Sequence, residues 1–132
     1  MKQSRFGFKL AHKDFPIDKL HPAARAGHVV ARCAGEQGKF WPYHDLLYAN
    51  APKAAPEDLR NYAKEAGLDM ASFEQCLATG RFVAAVANDV ADGKRAGVSG
   101  TPAFYINGRL VAGAQPLESF VKLIEEELAQ WR

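Results

Sequence analysis

The sequence has little of what usually betrays a function. It holds two cysteines in 132 residues, Cys33 and Cys76, too far apart to form a Cys-x-x-Cys. Such a pair allows a structural disulfide, two buried thiols, or one reactive thiol beside a bystander. No apolar run approaches the roughly 20 residues of a membrane span. Neither sign of charge dominates: 17 basic residues against 15 acidic leave a net charge of +2, and the basic residues are scattered. That excludes the basic stripe of a nucleic-acid binder. The four histidines, His12, His21, His28 and His44, show no metal-ligand spacing, although His21 and His28 could share a helix face; no metal and no cofactor are expected. The start, MKQSRFGFKLAHKDFP, has charge but no apolar core for a signal peptide. The expectation is a cytoplasmic protein, or a natural start that lies upstream.

What is present is ordinary for a folded domain: 48% apolar and 24% charged residues. Phe6, Phe8, Leu10 and His12 alternate with Gly7, Lys9 and Ala11, which predicts a strand ending near Pro16. His21-Pro22 reads as a helix opening, with Ala26, Val29, Val30 and Cys33 on the apolar face and Gly35 as the stop. A second helix carries Phe40, His44, Leu47 and Tyr48 at helical spacing. The aromatic group Phe40, Trp41, Tyr43 and Tyr48 reads as core packing rather than a ligand cage. A third helix opens at Pro56 with Glu57 and Asp58 in its first turn, where the helix dipole favours them. Asp69 is a good N-cap for a fourth, and Phe82 to Val90 mark a fifth. Two short strands, Ala103 to Ile106 and Leu110 to Gly113, flank Asn107-Gly108, a strong hairpin signal. Pro116 opens a last helix whose buried stripe would be Leu117, Phe120, Val121, Ile124 and Leu128.

The blocks KDFP (Lys13 to Pro16), HP (His21, Pro22), CAGEQGKFWPYHDLLYAN (Cys33 to Asn50) and GVSGTPAFYINGRLVAGAQP (Gly97 to Pro116) resemble the DsbA-like branch of the thioredoxin superfamily. The resemblance covers the chain from about Arg5 to its end. It implies an α/β, thioredoxin-like fold with a helical insertion at about residues 21–97. It also implies a cis-proline loop at Gly100, Thr101 and Pro102 that receives an extended peptide or protein substrate. X-Pro is the one bond where cis is cheap. In that family the loop faces a Cys-x-x-Cys at a helix N-terminus, where the thiolate is stabilised for attack on a disulfide. No cofactor beyond the cysteines is implied.

Against the family pattern, the first strand and the catalytic helix are absent, so the chain reads as one incomplete, N-terminally truncated domain, residues 1–132. It is expected to be inactive in this form. Loss of a central strand would leave two strands with open edges and several hundred Å² of apolar surface, comparable to a domain's whole stability. A homodimer through those edges is therefore expected. The family's exported setting makes Cys33–Cys76 a structural disulfide candidate, with buried thiols and a single reactive cysteine as alternatives. It also makes a periplasmic or otherwise exported location the expectation if Met1 is not the native start. The alternative function is a non-catalytic module that assembles with itself or binds peptides.

Overall fold

The computed structural model describes the backbone at residues 2–3 and all of residues 7–130. The fold divides into two compact units, one reaching to Ala91 and one running from Asp92.

The first unit begins with two short antiparallel strands, β1 (Lys2–Gln3) and β2 (Lys9–Leu10), with Lys2 opposite Leu10 and Gln3 opposite Lys9. The alternation at Phe6–His12 called for more. Gly7 bends the chain at φ +87, a left-handed conformation that breaks an extended strand. Phe8 and Leu10 are 36% and 44% exposed, so no buried face fixes a longer register. Arg5 and Phe6 lie outside the described residues.

Five helices follow with no strand between them: α1 (Ala24–Glu36), α2 (Phe40–Ala49), α3 (Pro56–Glu65), α4 (Met70–Thr79) and α5 (Val83–Arg95), the last running into the second unit. Helix α1 starts beyond Pro22 rather than at it. The Ile17 carbonyl accepts the Leu20 and His21 amides, and the His21 carbonyl accepts the Ala24 amide, so the His-Pro pair belongs to the turn leading in. Asp69 caps α4, accepting the Ser72 amide at 2.9 Å. Asp58 reaches back to the Ala55 amide at the start of α3.

Helix α1 packs on α2, α3 and α4, and their inner faces form one core. Val30, Cys33 and Ala34 of α1 meet Tyr43 of α2, Leu59, Tyr62 and Ala63 of α3, and Phe73 and Cys76 of α4. Tyr43 and Phe73 are fully buried. The Tyr43 hydroxyl donates to the Leu59 carbonyl at 2.7 Å, which satisfies the one polar group that ring brings inside.

The second unit holds the end of α5, a hairpin of β3 (Ala103–Ile106) and β4 (Arg109–Ala112), and α6 (Leu117–Gln130). Ala103 pairs with Ala112 and Ile106 with Arg109. Asn107 (φ +48) and Gly108 (φ +85) make the two-residue turn that the Asn-Gly signal predicts. Phe104 packs edge-on against Phe120 of α6, with ring centroids 4.8 Å apart. The α6 stripe is only partly covered: Phe120, Ile124 and Leu128 are half-buried, while Leu117 and Val121 are exposed. The apolar face of α6 is wider than the hairpin's footprint.

Candidate functional site

The Gly100, Thr101 and Pro102 loop enters the hairpin. Helix α5 ends with the Val98 amide on the Gly93 carbonyl at 2.9 Å, and the chain turns toward β3. The Thr101–Pro102 peptide bond is cis, as is Ala51–Pro52, which no motif suggested. The Pro102 carbonyl accepts the Gly113 amide at 2.8 Å, carrying the ladder one step past Ala103. Thr101 and Pro102 are both exposed, and Gly100 is half-buried. The hairpin below is anchored through both strands. The Tyr105 hydroxyl donates to the Ala96 carbonyl, and Arg109 reaches Glu126 at 2.9 Å and Glu127 at 3.4 Å on α6.

The cysteines are not part of that loop. Cys33 of α1 and Cys76 of α4 form a disulfide, each 1% exposed. Among the described residues there is no free cysteine.

A second polar constellation, not foreseen, lies in the unit that ends at Ala91. Asp14, of the KDFP block, is 2% exposed. Its Oδ2 accepts Arg32 Nε at 2.6 Å, and its Oδ1 accepts His28 Nδ1 at 2.8 Å. Arg32 also donates to Asp89 of α5 at 2.5 Å, and Lys13 Nζ lies 3.5 Å from the other Asp89 oxygen. Burial pushes the Asp14 carboxyl upward, but the His28 and Arg32 hydrogen bonds outweigh it and hold the group below its ordinary range.

Beside this network three imidazoles gather. The His12 ring centroid is 5.5 Å from His44 and 6.2 Å from His28, and it contacts Phe40 at 5.3 Å. Burial lowers the His12 pKa. Asp14 opposes that shift, and the neighbouring His44, His28 and Arg32 reinforce it. His21 stays exposed, so the shared face with His28 brings the two to no common site. Among the described residues no three His, Cys, Asp or Glu side chains converge as metal ligands. Of the aromatic group, only Tyr43 is core; Phe40, Trp41 and Tyr48 form a tier of ring contacts with the histidines.

A family model described as Thioredoxin matches residues 8–126. The chain belongs to the thioredoxin family. The fold of a thioredoxin-like oxidoreductase from Silicibacter pomeroyi DSS-3 is similar, with a TM-score of 0.77 at 24% identity over 89% of this chain and 66% of that one. The curated relatives are much longer proteins. Na(+)/H(+) antiporter NhaA 1 of Salinispora arenicola (strain CNS-205) is 36% identical over 120 residues, 91% of this chain and 18% of that protein. Na(+)/H(+) antiporter NhaA of Herminiimonas arsenicoxydans is 29% identical over 105 residues, 80% of this chain and 17% of that protein. The thioredoxin-family chain thus spans under a quarter of the length of these relatives. Among its described residues no helix is long and apolar enough to cross a membrane.

Within this thioredoxin-family chain, sequence reasoning missed Asp14, Arg32 and Asp89 as a unit. The one local signal was the His28-to-Arg32 spacing, i to i+4 on α1, which puts both on one face.

Proposed function

We propose that the chain is a DsbA-like member of the thiol–disulfide oxidoreductases, in which Gly100, Thr101 and Pro102 receive an extended stretch of protein substrate. The supporting observation is local. Pro102 is tied to Gly113 in line with β3, while Thr101 and Pro102 stay exposed, so the entry to the hairpin is open to a peptide lying as an added strand. Disulfide exchange needs a thiolate to attack one sulfur of a disulfide and release the other as thiolate. These 132 residues hold no Cys-x-x-Cys, and their two cysteines are bonded to each other in the core. By themselves they carry the docking half of the reaction and not the exchange. Ion transport, named for the antiporter relatives, is not carried over.

The test is twofold. In ¹⁵N spectra, an extended unstructured peptide should shift the Gly100, Thr101 and Ala103 amides; shifts confined to other residues would remove the docking assignment. Insulin reduction should stay at the uncatalysed rate. A rate abolished by Cys33→Ser or Cys76→Ser would show that the buried disulfide is the reacting group.

A second reading, self-assembly through the hairpin, is supported by Phe104, Tyr105 and Leu110, which are 37%, 46% and 45% exposed on the two-stranded β3–β4 sheet. A second copy pairing along an open edge would cover them. A single-chain mass in light scattering at every concentration removes this reading.

A further inference from the structure

The unit ending at Ala91 contains a cavity of about 260 Å³, open on one side, that shares no residue with the Gly100–Pro102 loop. Rings make up much of its wall: His12, His28, Phe40, His44 and Tyr48, with Leu47 between them. His44 and Tyr48 lie 4.6 Å apart at a small tilt, and His12 sits 5.5 Å from His44, nearly perpendicular to it. An apolar cavity of about 150 Å³ is enough for benzene, so this one has room for one or two fused rings.

Its polar groups select within that class. The Asp14 carboxylate is ionised and has no proton to give, so the 2.8 Å contact places a proton on His28 Nδ1. In the neutral ring, Nε2 is then an acceptor, oriented by Asp14 through the other nitrogen. The lining carries one acid, Asp14, already paired with Arg32, and one base, Lys53, so its formal charges cancel and it favours neither an anion nor a cation. A neutral molecule with a hydroxyl donor satisfies both conditions.

We propose that this cavity is a binding site for a small neutral aromatic alcohol, its ring held among Phe40, His44 and Tyr48 and its hydroxyl donating to His28. This site stands independently of the disulfide-exchange reading.

Gly27 of α1 provides the decisive variant. It lines the cavity, and a Cβ built on it meets nothing within 4 Å. Gly27→Leu therefore fills the cavity from a helical position where leucine is the better helix former. His28 is left intact, because its loss would disturb Asp14.

The probe is 1-naphthol, titrated into the whole chain and read at the histidine Cε1 protons by NMR. Saturable shifts are expected at His12, His28 and His44, with exposed His21 unmoved. 1-Methoxynaphthalene, which keeps the ring but cannot donate, should bind about five- to tenfold more weakly, the worth of one hydrogen bond. Gly27→Leu should abolish the shifts while melting no lower than the parent chain. The proposal is overturned by an absence of saturable shifts at millimolar naphthol or by equal shifts in Gly27→Leu. Equal affinity for the methoxy compound, or tighter binding of 1-naphthoate, overturns it as well.

Discussion

The Asp14 amide donates to the Asp89 carboxylate at 2.9 Å, joining residues 75 positions apart. Arg32 completes the joint by donating to both carboxylates. The loop after β2 is thereby held to α1 and to α5 at once. Both acids are buried, at 2% and 8% exposure, and Arg32 is the cation that donates to each. Removing one partner of a buried pair costs far more than the pair contributes, because the orphaned charge stays inside. Arg32→Met should lower stability by about 3 kcal/mol or more in urea unfolding. Adding Asp14→Asn and Asp89→Asn to that variant should recover part of the loss.

Acid should weaken the fold in two steps of the same sign. His12 has a folded pKa below its ordinary 6.5, through burial, which Asp14 opposes and His44, His28 and Arg32 reinforce. Above 6.5 both states are neutral there; as pH falls past it, the unfolded chain takes up the proton first and stability drops. Asp14 has a folded pKa below its ordinary 3.8, because the His28 and Arg32 bonds outweigh burial. Its contribution is intact above 3.8 and is lost as pH falls toward the folded value. Urea midpoints followed from pH 8 to pH 3 should hold above 6.5, fall as pH drops below it and fall again below 3.8, and His12→Gln should flatten the upper step. A midpoint that rises on acidification between pH 7 and 5 would contradict the His12 environment.

The helices and the hairpin were legible because their causes are local. Apolar periodicity, Asp69 as a cap and Asn107-Gly108 as a turn each act within a few residues. The shortening of the predicted strand to Lys9–Leu10 was also local in origin: Gly7 interrupts an alternation that the apolar pattern makes look continuous. On α2 the period was right, and Phe40 and Leu47 do pack against the core, but only at its edge. Phe40, His44 and Leu47 line the cavity, while Tyr43, between them in sequence, enters the core. The ion network and the imidazole tier were not legible, since Asp14 meets Arg32 and Asp89 only after three elements have packed. Period and spacing carry no record of such a meeting.

The Cys33–Cys76 bond should be structural. It links α1 to α4 across 43 positions, and closing a loop of that length stabilises by about 4 kcal/mol in the chain-entropy model. The Cys33→Ala/Cys76→Ala variant should lose stability of that order in urea. In the folded parent, dithiothreitol should reduce the bond slowly, at a rate set by opening of the core, because each sulfur's residue is 1% exposed. Rapid labelling of both thiols under mild reduction, without loss of structure, would refute a purely structural role.

Gly108→Ala tests the support of the candidate docking loop, because the hairpin is the surface that presents Pro102. Gly108 sits at φ +85, where an L side chain costs roughly 1–2 kcal/mol. Amide exchange should speed up about tenfold for Phe104 and Val111, whose amides lie inside the ladder two steps from the Pro102–Gly113 bond, the factor that goes with 1.4 kcal/mol of that strain. Exchange at Tyr43 and Phe73, in the other unit's core, should hardly change. Asn107→Gly keeps the turn's left-handed backbone and gives up only the 3.4 Å contact from the Asn107 side chain to Glu127. Its effect should therefore be a small fraction of that of Gly108→Ala. Equal effects from the two substitutions would mean that the Glu127 contact, and not the turn conformation, holds the hairpin in register.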